Sequence, residues 1–300
     1  GYINQSGKHN LFMGYNSGYN VLNKDYNIFI GYYSGFSFVN GQNNLILSNW
    51  DSNANSEGNK NTFIGNSSGK NSVGNNNIIL GYDNNINGDF NILLGNDIST
   101  TNNNFTDNIF IGNKLGRFII TINNIKIGHE ELQIEDTNSL SGNNLCIGNY
   151  SSYFLDSGKN NITIGLKANY SNLQGNLNIS IGNYSNFKNL VNNNISLGHY
   201  SNYNNNFGFD NIIFGNDAGY EMVDSSNNII LGHLSSNNSK NSINNLIFGN
   251  SSFKNNIVSN SNVIIGNSSG ENISYSFRNI IIGNESVNNS NLISDSIYIG

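Results

Sequence analysis

The chain has 300 residues and a net charge of −6, with 72 asparagines, 33 glycines and no proline. Only 13 residues are Lys or Arg, which argues against a sequence-general nucleic-acid binder, because that class needs a basic surface to neutralise phosphates. The single cysteine, Cys146, excludes an intramolecular disulfide framework and a cysteine-cluster metal site. No apolar run approaches the roughly 20 residues of a membrane-spanning helix, so we expect no membrane span.

A glycine-closed apolar triplet recurs along the whole chain. Each copy is an Asn, three mostly apolar residues and an anchor glycine, with Ser48 in place of one glycine and Ser296 in place of one Asn. Of the seventeen intervals between anchors from Gly14 to Gly300, twelve are seventeen residues long and three are sixteen. The other two are fourteen and twenty residues long, and the longer one runs from Gly128 to Gly148. Repetition at this period is typical of a solenoid, in which each repeat is stabilised by its neighbours.

The triplets are β-branched, and seventeen residues cannot hold a helical hairpin with its turns. The sequence therefore predicts an all-β fold, a parallel β-solenoid of about 17-residue coils that forms a single domain over residues 1–300. Gly and Asn suit the coil corners because both adopt left-handed backbone conformations, and stacked Asn can form amide ladders. The chain begins Gly1-Tyr2 and shows no polar capping repeat at either end, so we expect it to be an excerpt of a longer chain.

The direction of each triplet residue decides what the solenoid exposes. The first and third residues are apolar in every coil except at Thr62, so we predict that they face the core. The middle residue then forms an outer apolar stripe, which is too large for a soluble monomer. We predict that this candidate inter-subunit stripe is covered by parallel copies of the chain, as a trimer or a filament. The alternative is a second layer of the same coil. The stripe comprises Phe12, Phe29, Ile46, Phe63, Ile79, Leu93, Phe110, Ile213, Ile230, Ile247, Ile264 and Ile281.

One section interrupts this stripe. Its middle residues are polar or small, namely Lys126, Cys146, Thr163, Ser180 and Ser196, and it contains the longest interval. We interpret residues 126–200 as a candidate binding or flexing region. Its acidic residues could hydrolyse a polysaccharide by acid-base chemistry, although a solvated surface loop is the favoured interpretation. These residues are Glu130, Glu131, Glu135 and Asp136.

Two further rows follow the anchor glycines. An aromatic residue five positions after the anchor predicts a stack on a second, shorter strand, at Tyr19, Phe36, Tyr153, Tyr170, Phe187, Tyr203 and Tyr220. Histidines directly follow the anchor at His129, His199 and His233. His199 and His233 are two coils apart, about 10 Å along a solenoid, which is too far for one metal ion. The sequence therefore predicts no catalytic, metal or cofactor site.

The element Asn-x-x-Ile-Gly-x-x-Ser/Ala-Gly is clearest in residues 27–35, 61–69, 211–219 and 262–270. It resembles the repeats of YadA-like trimeric autotransporter adhesin heads and of related phage-type tail fibres, over essentially the whole chain. The resemblance implies a left-handed parallel β-roll, three chains side by side and a role as a surface fibre.

Together these observations predict a non-enzymatic structural fibre on a cell or virion surface that is extracellular and binds copies of itself. Such a fibre can also present an adhesive surface to a host glycan or receptor. The alternative is a tailspike-like β-helix that binds or degrades polysaccharide.

Overall fold

In a computed structural model of the protein, the described residues are 6–38, 40–49, 57–98, 105–115, 120–129, 140–155, 157–188 and 190–300. Within them the regular elements are short β-strands, and no helix is long and apolar enough to cross a membrane. The chain divides into two compact units, Gly1–Asn143 and Asn144–Gly300. Each unit is a parallel β-solenoid, which confirms the predicted fold class. The prediction of a single domain stays a prediction.

The strands of the first unit are β1 (Leu11–Met13), β2 (Ile28–Ile30), β3 (Leu45–Leu47), β4 (Thr62–Ile64), β5 (Ile78–Leu80), β6 (Ile92–Leu94), β7 (Ile109–Asn113), β8 (Ile120–Ile122), β9 (Ile125–His129) and β10 (Leu140–Gly142). Strands β1 to β7 pair in chain order, and β7 then pairs with β9, all of them parallel. A separate parallel pair joins β8 and β10. Equivalent triplet residues lie side by side, so the repeat sets the register.

The strands of the second unit are β11 (Leu145–Ile147), β12 (Ile162–Ile164), β13 (Ile179–Ile181), β14 (Ile195–Leu197), β15 (Ile212–Phe214), β16 (Ile229–Leu231), β17 (Ser242–Ile243), β18 (Leu246–Phe248), β19 (Val258–Asn260), β20 (Val263–Ile265), β21 (Tyr275–Phe277), β22 (Ile280–Ile282), β23 (Leu292–Ser294) and β24 (Ile297–Ile299). The triplet strands form one parallel ladder from β11 to β24. The strands β17, β19, β21 and β23 form a second parallel ladder on the return side of the coils.

The predicted facing of the triplet is wrong, because the middle residue points into the solenoid. Ile230 is fully buried, whereas its strand neighbour Ile229 is 39% exposed. Phe12 is partly buried against the core, and the other members of the candidate inter-subunit stripe are at most 2% exposed: Phe29, Ile46, Phe63, Ile79, Leu93, Phe110, Ile213, Ile230, Ile247, Ile264 and Ile281. The return side of each coil packs over the middle residue and forms the opposite wall of the core. The alternating pattern of a strand places the first and third triplet residues on the same face. It does not decide which face the return side of the coil covers.

A buried asparagine in each coil holds the coil closed. Asn228 is typical: its backbone N–H donates to Asn211 Oδ1 at 3.1 Å, and its Nδ2 donates to the same oxygen at 3.0 Å. The Nδ2 also donates to the Ser242 carbonyl at 2.6 Å, on the return side of the same coil. Its Oδ1 accepts from the backbone N–H of Asn245, one coil on, at 3.0 Å. The amide therefore ties the coil both to itself and to its neighbours.

This amide ladder is present in both units, as predicted for stacked Asn. The asparagines directly precede the triplets and are buried, apart from the partly buried Asn10. In the first unit they are Asn10, Asn27, Asn44, Asn61, Asn77, Asn91, Asn108 and Asn124. In the second they are Asn144, Asn161, Asn178, Asn194, Asn211, Asn228, Asn245, Asn262 and Asn279.

The coil corners use left-handed backbone on both sides of the triplet. Asn227 and Asn244, each directly before a ladder asparagine, have φ values of 59° and 58°. Gly232, which closes β16, has a φ of 147°, and a Cβ there would overlap the carbonyl of Gly249 in the next coil. Glycine is therefore required at that anchor by both conformation and packing, and Asn tolerates the other corner.

Replacing Asn228 by Ala should destabilise the protein by about 1–3 kcal/mol, because it leaves the buried backbone N–H of Asn245 without its acceptor and removes one of the donors to the Ser242 carbonyl. The shift of the urea unfolding midpoint, followed by circular dichroism, measures this loss. Asn250→Ala is the control. The exposed Asn250 also accepts a backbone N–H, from His233 at 3.0 Å, but water can replace it, so the loss should stay below about 1 kcal/mol. Equal losses would contradict the role of the buried ladder.

Candidate functional site

The acidic residues predicted as a candidate binding region, Glu130, Glu131, Glu135 and Asp136, lie outside the described residues. Polysaccharide hydrolysis by this cluster therefore stays a prediction.

The three corner histidines lie on the surface. His199 and His233 are exposed, and their backbone N–H groups donate to Asn216 and Asn250 Oδ1, both at 3.0 Å. The His199 ring packs edge-on against Tyr200, with 4.1 Å between centroids. Across the described ranges, no three His, Cys, Asp or Glu side chains come together as metal ligands. The histidines therefore occupy a corner position that tolerates different types of side chain.

The polar middle residues do not line a wet subunit interface. Thr163, Ser180 and Ser196 are fully buried. They face a column of asparagines that lies four positions after the anchor glycine, at Asn169, Asn186 and Asn202, which are fully buried as well. Residues 145–202 therefore contain a polar core, which we define as these three hydroxyl residues and three asparagines. The neighbouring coils have an apolar one.

In several coils a large middle residue lies opposite a glycine, although Ile230 lies opposite Ser236 and Ile247 opposite Phe253. Where the middle residue is Phe12, the opposite position is Gly18, and a Cβ there would come within 2.7 Å of the Phe12 ring. Where it is Ile213, the opposite position is Gly219, whose Cβ would lie 3.1 Å from Ile213 Cδ1. A small hydroxyl residue is instead matched by Asn.

The groups of the polar core bond to one another only in part. Asn202 Nδ2 donates to Asn186 Oδ1 at 2.8 Å, and Ser151 Oγ donates to Thr163 Oγ1 at 2.8 Å. Among the described residues, several buried atoms of this section have no hydrogen-bond partner: Asn169 Nδ2 and Oδ1, Ser180 Oγ, Asn186 Nδ2 and Asn202 Oδ1. A buried polar group without a partner costs about 1–3 kcal/mol. We therefore expect this section to open at a lower free energy than the apolar core.

The predicted aromatic stack is confirmed, although it lies in the turn after the anchor and not on a second strand. Tyr203 and Tyr220 stack with centroids 4.9 Å apart and planes 3° apart. Burial raises the pKa of both phenols, and neighbouring tyrosines add to the effect, so both remain neutral at physiological pH. The other stacked pairs are Tyr19–Phe36, Tyr153–Tyr170, Tyr170–Phe187 and Phe187–Tyr203.

A lysine lies among the aromatic rings of the second unit. The Lys167 Nζ is 5.4 Å from the ring centroid of Tyr170 and 5.8 Å from those of Tyr150 and Tyr184. This cation–π cluster joins neighbouring coils at the surface.

An apolar surface is left uncovered on the outer face, which we define as the first and third residues of the triplets in each unit. In the second unit its more exposed members are Ile162, Ile181, Phe214, Ile229, Ile265, Ile280, Ile282, Ile297 and Ile299. Sequence reasoning placed these residues in the core, because their uniform apolar character is the usual mark of burial. The face contains no charged residue in either unit.

Comparison with known proteins finds no matching family model, no matching curated protein and no matching solved structure.

The size pairing can be tested by converting one polar pair to an apolar one. Ser196→Ile alone should crowd Asn202, and Asn202→Gly alone should leave a gap beside Ser196, so each should destabilise the protein. The double variant reproduces the Ile213–Gly219 pair and should be more stable than the sum of the single effects by about 1–2 kcal/mol. Urea unfolding of the four proteins measures this coupling. Additive effects would show that the two columns do not pack against each other.

Proposed function

We propose that the protein is a non-enzymatic structural fibre component on a cell or virion surface, and that copies of the chain assemble laterally through the outer face. The observation that carries the proposal is this uncovered apolar face on an otherwise self-contained solenoid. The covering partner is the one expected from the sequence, a second copy of the chain, but it contacts the first and third triplet residues and not the middle ones.

The area of the outer face supports assembly. Seven of its twelve side chains in the triplet strands from β15 to β24 are more than a third exposed, and the other five are partly exposed. Together they expose on the order of 1,000 Å² of apolar surface, compared with the few hundred Å² that a soluble monomer normally leaves uncovered. A standard protein interface buries about 800 Å² on each partner, so the face is large enough for a stable complex.

The geometry of the face favours an identical partner. Its side chains repeat at the rung spacing of a parallel sheet, about 4.8 Å, in two rows without a register shift. A second copy has the same spacing, so the side chains of two parallel chains can interdigitate at every coil. Among the first residues of the triplets, Thr62 is the only polar one. Charge therefore provides no specificity along the face, and shape and periodicity select the partner.

Sedimentation of the purified chain over a range of concentrations tests the proposal. We expect an oligomer, and we expect Ile229→Glu with Ile265→Glu to shift it to monomer, because buried unpaired carboxylates oppose association. The matched control is Ile243→Glu with Ile257→Glu, which changes side chains of similar exposure away from the outer face. Circular dichroism verifies that both variants fold. A wild-type chain that stays monomeric, or equal effects of the two variants, would overturn the proposal.

A further inference from the structure

Three tyrosines meet on the surface of the first unit. Tyr15 and Tyr32 directly follow the anchor glycines of consecutive coils, and their rings stack with centroids 5.5 Å apart and planes 16° apart. Tyr33 contacts both rings edge-on, at centroid distances of 5.6 Å and 4.6 Å. Tyr15 is 64% exposed and Tyr32 is 46% exposed. The cluster lies in the turn and not on the outer face, so the lateral assembly proposed above does not use it.

Neighbouring exposed phenols have a specific chemistry. When a tyrosine loses one electron and its phenolic proton, the unpaired electron of the resulting phenoxyl radical is shared with the ring carbons ortho to the oxygen. Two such radicals couple through these carbons. In solution they must first meet, but rings that are already held in contact react as if at very high local concentration. Stacked tyrosines that an oxidant can reach are therefore the preferred place for this reaction.

We propose that Tyr15 and Tyr32 are a modification site at which a peroxidase-class oxidant and hydrogen peroxide form a dityrosine cross-link between consecutive coils. Each phenol gives up one electron and one proton, and one new carbon–carbon bond joins the two ortho carbons. The hydrogens displaced from those carbons return to the phenolic oxygens as the rings regain aromaticity. Hydrogen peroxide accepts the two electrons and two protons and is reduced to two molecules of water.

The local environment is compatible with this chemistry. Desolvation raises the pKa of the Tyr32 phenol, and the adjacent Tyr33 raises it further. The phenol is therefore neutral at physiological pH, and its proton leaves together with the electron. The product would close a covalent ring between two coils that are otherwise joined by hydrogen bonds, including the backbone bond from Tyr33 N–H to the Tyr15 carbonyl at 2.9 Å.

The Tyr203–Tyr220 pair is less suited to coupling. Tyr203 and Tyr220 lie 4.9 Å apart with planes 3° apart, and Tyr203 is also stacked on Phe187. Neighbours on both sides hold Tyr203 in a parallel arrangement, in which the ortho carbons stay a full stacking distance apart. Tyr15 is 64% exposed, and its ring plane is tilted by 16° from that of Tyr32. Coils further along the first unit have Asn49 and Asn66 at the equivalent position, so the cluster is local.

Oxidation of the dilute, purified chain with a haem peroxidase and hydrogen peroxide tests the site. We expect dityrosine fluorescence, a mass loss of two hydrogen atoms per chain, and a cross-linked peptide that contains residues 15 and 32. The yield per chain should not depend on protein concentration, because the reacting rings belong to one molecule. Tyr32→Phe should lower the fluorescence about fivefold or more, since the ring is kept but cannot form a phenoxyl radical.

Tyr220→Phe is the matched control, because it removes one hydroxyl from the other stack and should leave the yield unchanged. Circular dichroism verifies the fold of both variants. Equal yields from Tyr32→Phe and the wild type, a cross-link that maps to other tyrosines, or cross-links only between chains would each overturn the proposal. Lateral assembly is tested separately, by sedimentation of the unoxidised chain.

Discussion

A coil of about seventeen residues buries too few apolar side chains to hold itself closed, and in this protein a buried amide supplies what is missing. A typical ladder asparagine bonds to the return side of its own coil and to the asparagines of both neighbours, as Asn228 does with Ser242, Asn211 and Asn245. Since these bonds are shielded from water, the loss of one amide leaves a buried backbone N–H without its acceptor. The regular spacing of the triplets follows from this ladder, because each coil must return to the same place.

The ladder leaves the interior free to vary. Because the amides fix the backbone, each coil needs only to fill the space between its triplet strand and its return side. The middle triplet residue and the residue opposite it fill this space. The chain does so with Phe and Gly, with Ile and Gly, Ser or Phe, and with Ser or Thr and Asn. The last combination places amides and hydroxyls where other coils have aliphatic groups, and several of those atoms are unpaired. The section around residues 145–202 is thus built to the same backbone plan with a polar core.

The outer face follows from the same plan. A narrow coil has room for one inward side chain per triplet, so the two neighbouring positions must point outwards. In an isolated chain these apolar side chains are exposed to water and contribute little to stability. Another chain that covers them would bury this apolar surface. The function that we propose depends on this surplus of apolar surface. The tyrosines at the corners are a separate feature, exposed to the solvent and to oxidants.

The sequence by itself determined the repeat, the parallel β-solenoid, the corner positions of Gly and Asn, and the aromatic ladder, because each depends on local periodicity and backbone preference. It did not determine which side of the strand is the core. Ile229 and Ile230 are chemically alike, and only the path of the return side, from Ser242 onwards, decided that Ile230 is buried and Ile229 exposed. The pairing of Ser196 with Asn202 was likewise decided by tertiary structure, because it depends on which residues meet across the coil.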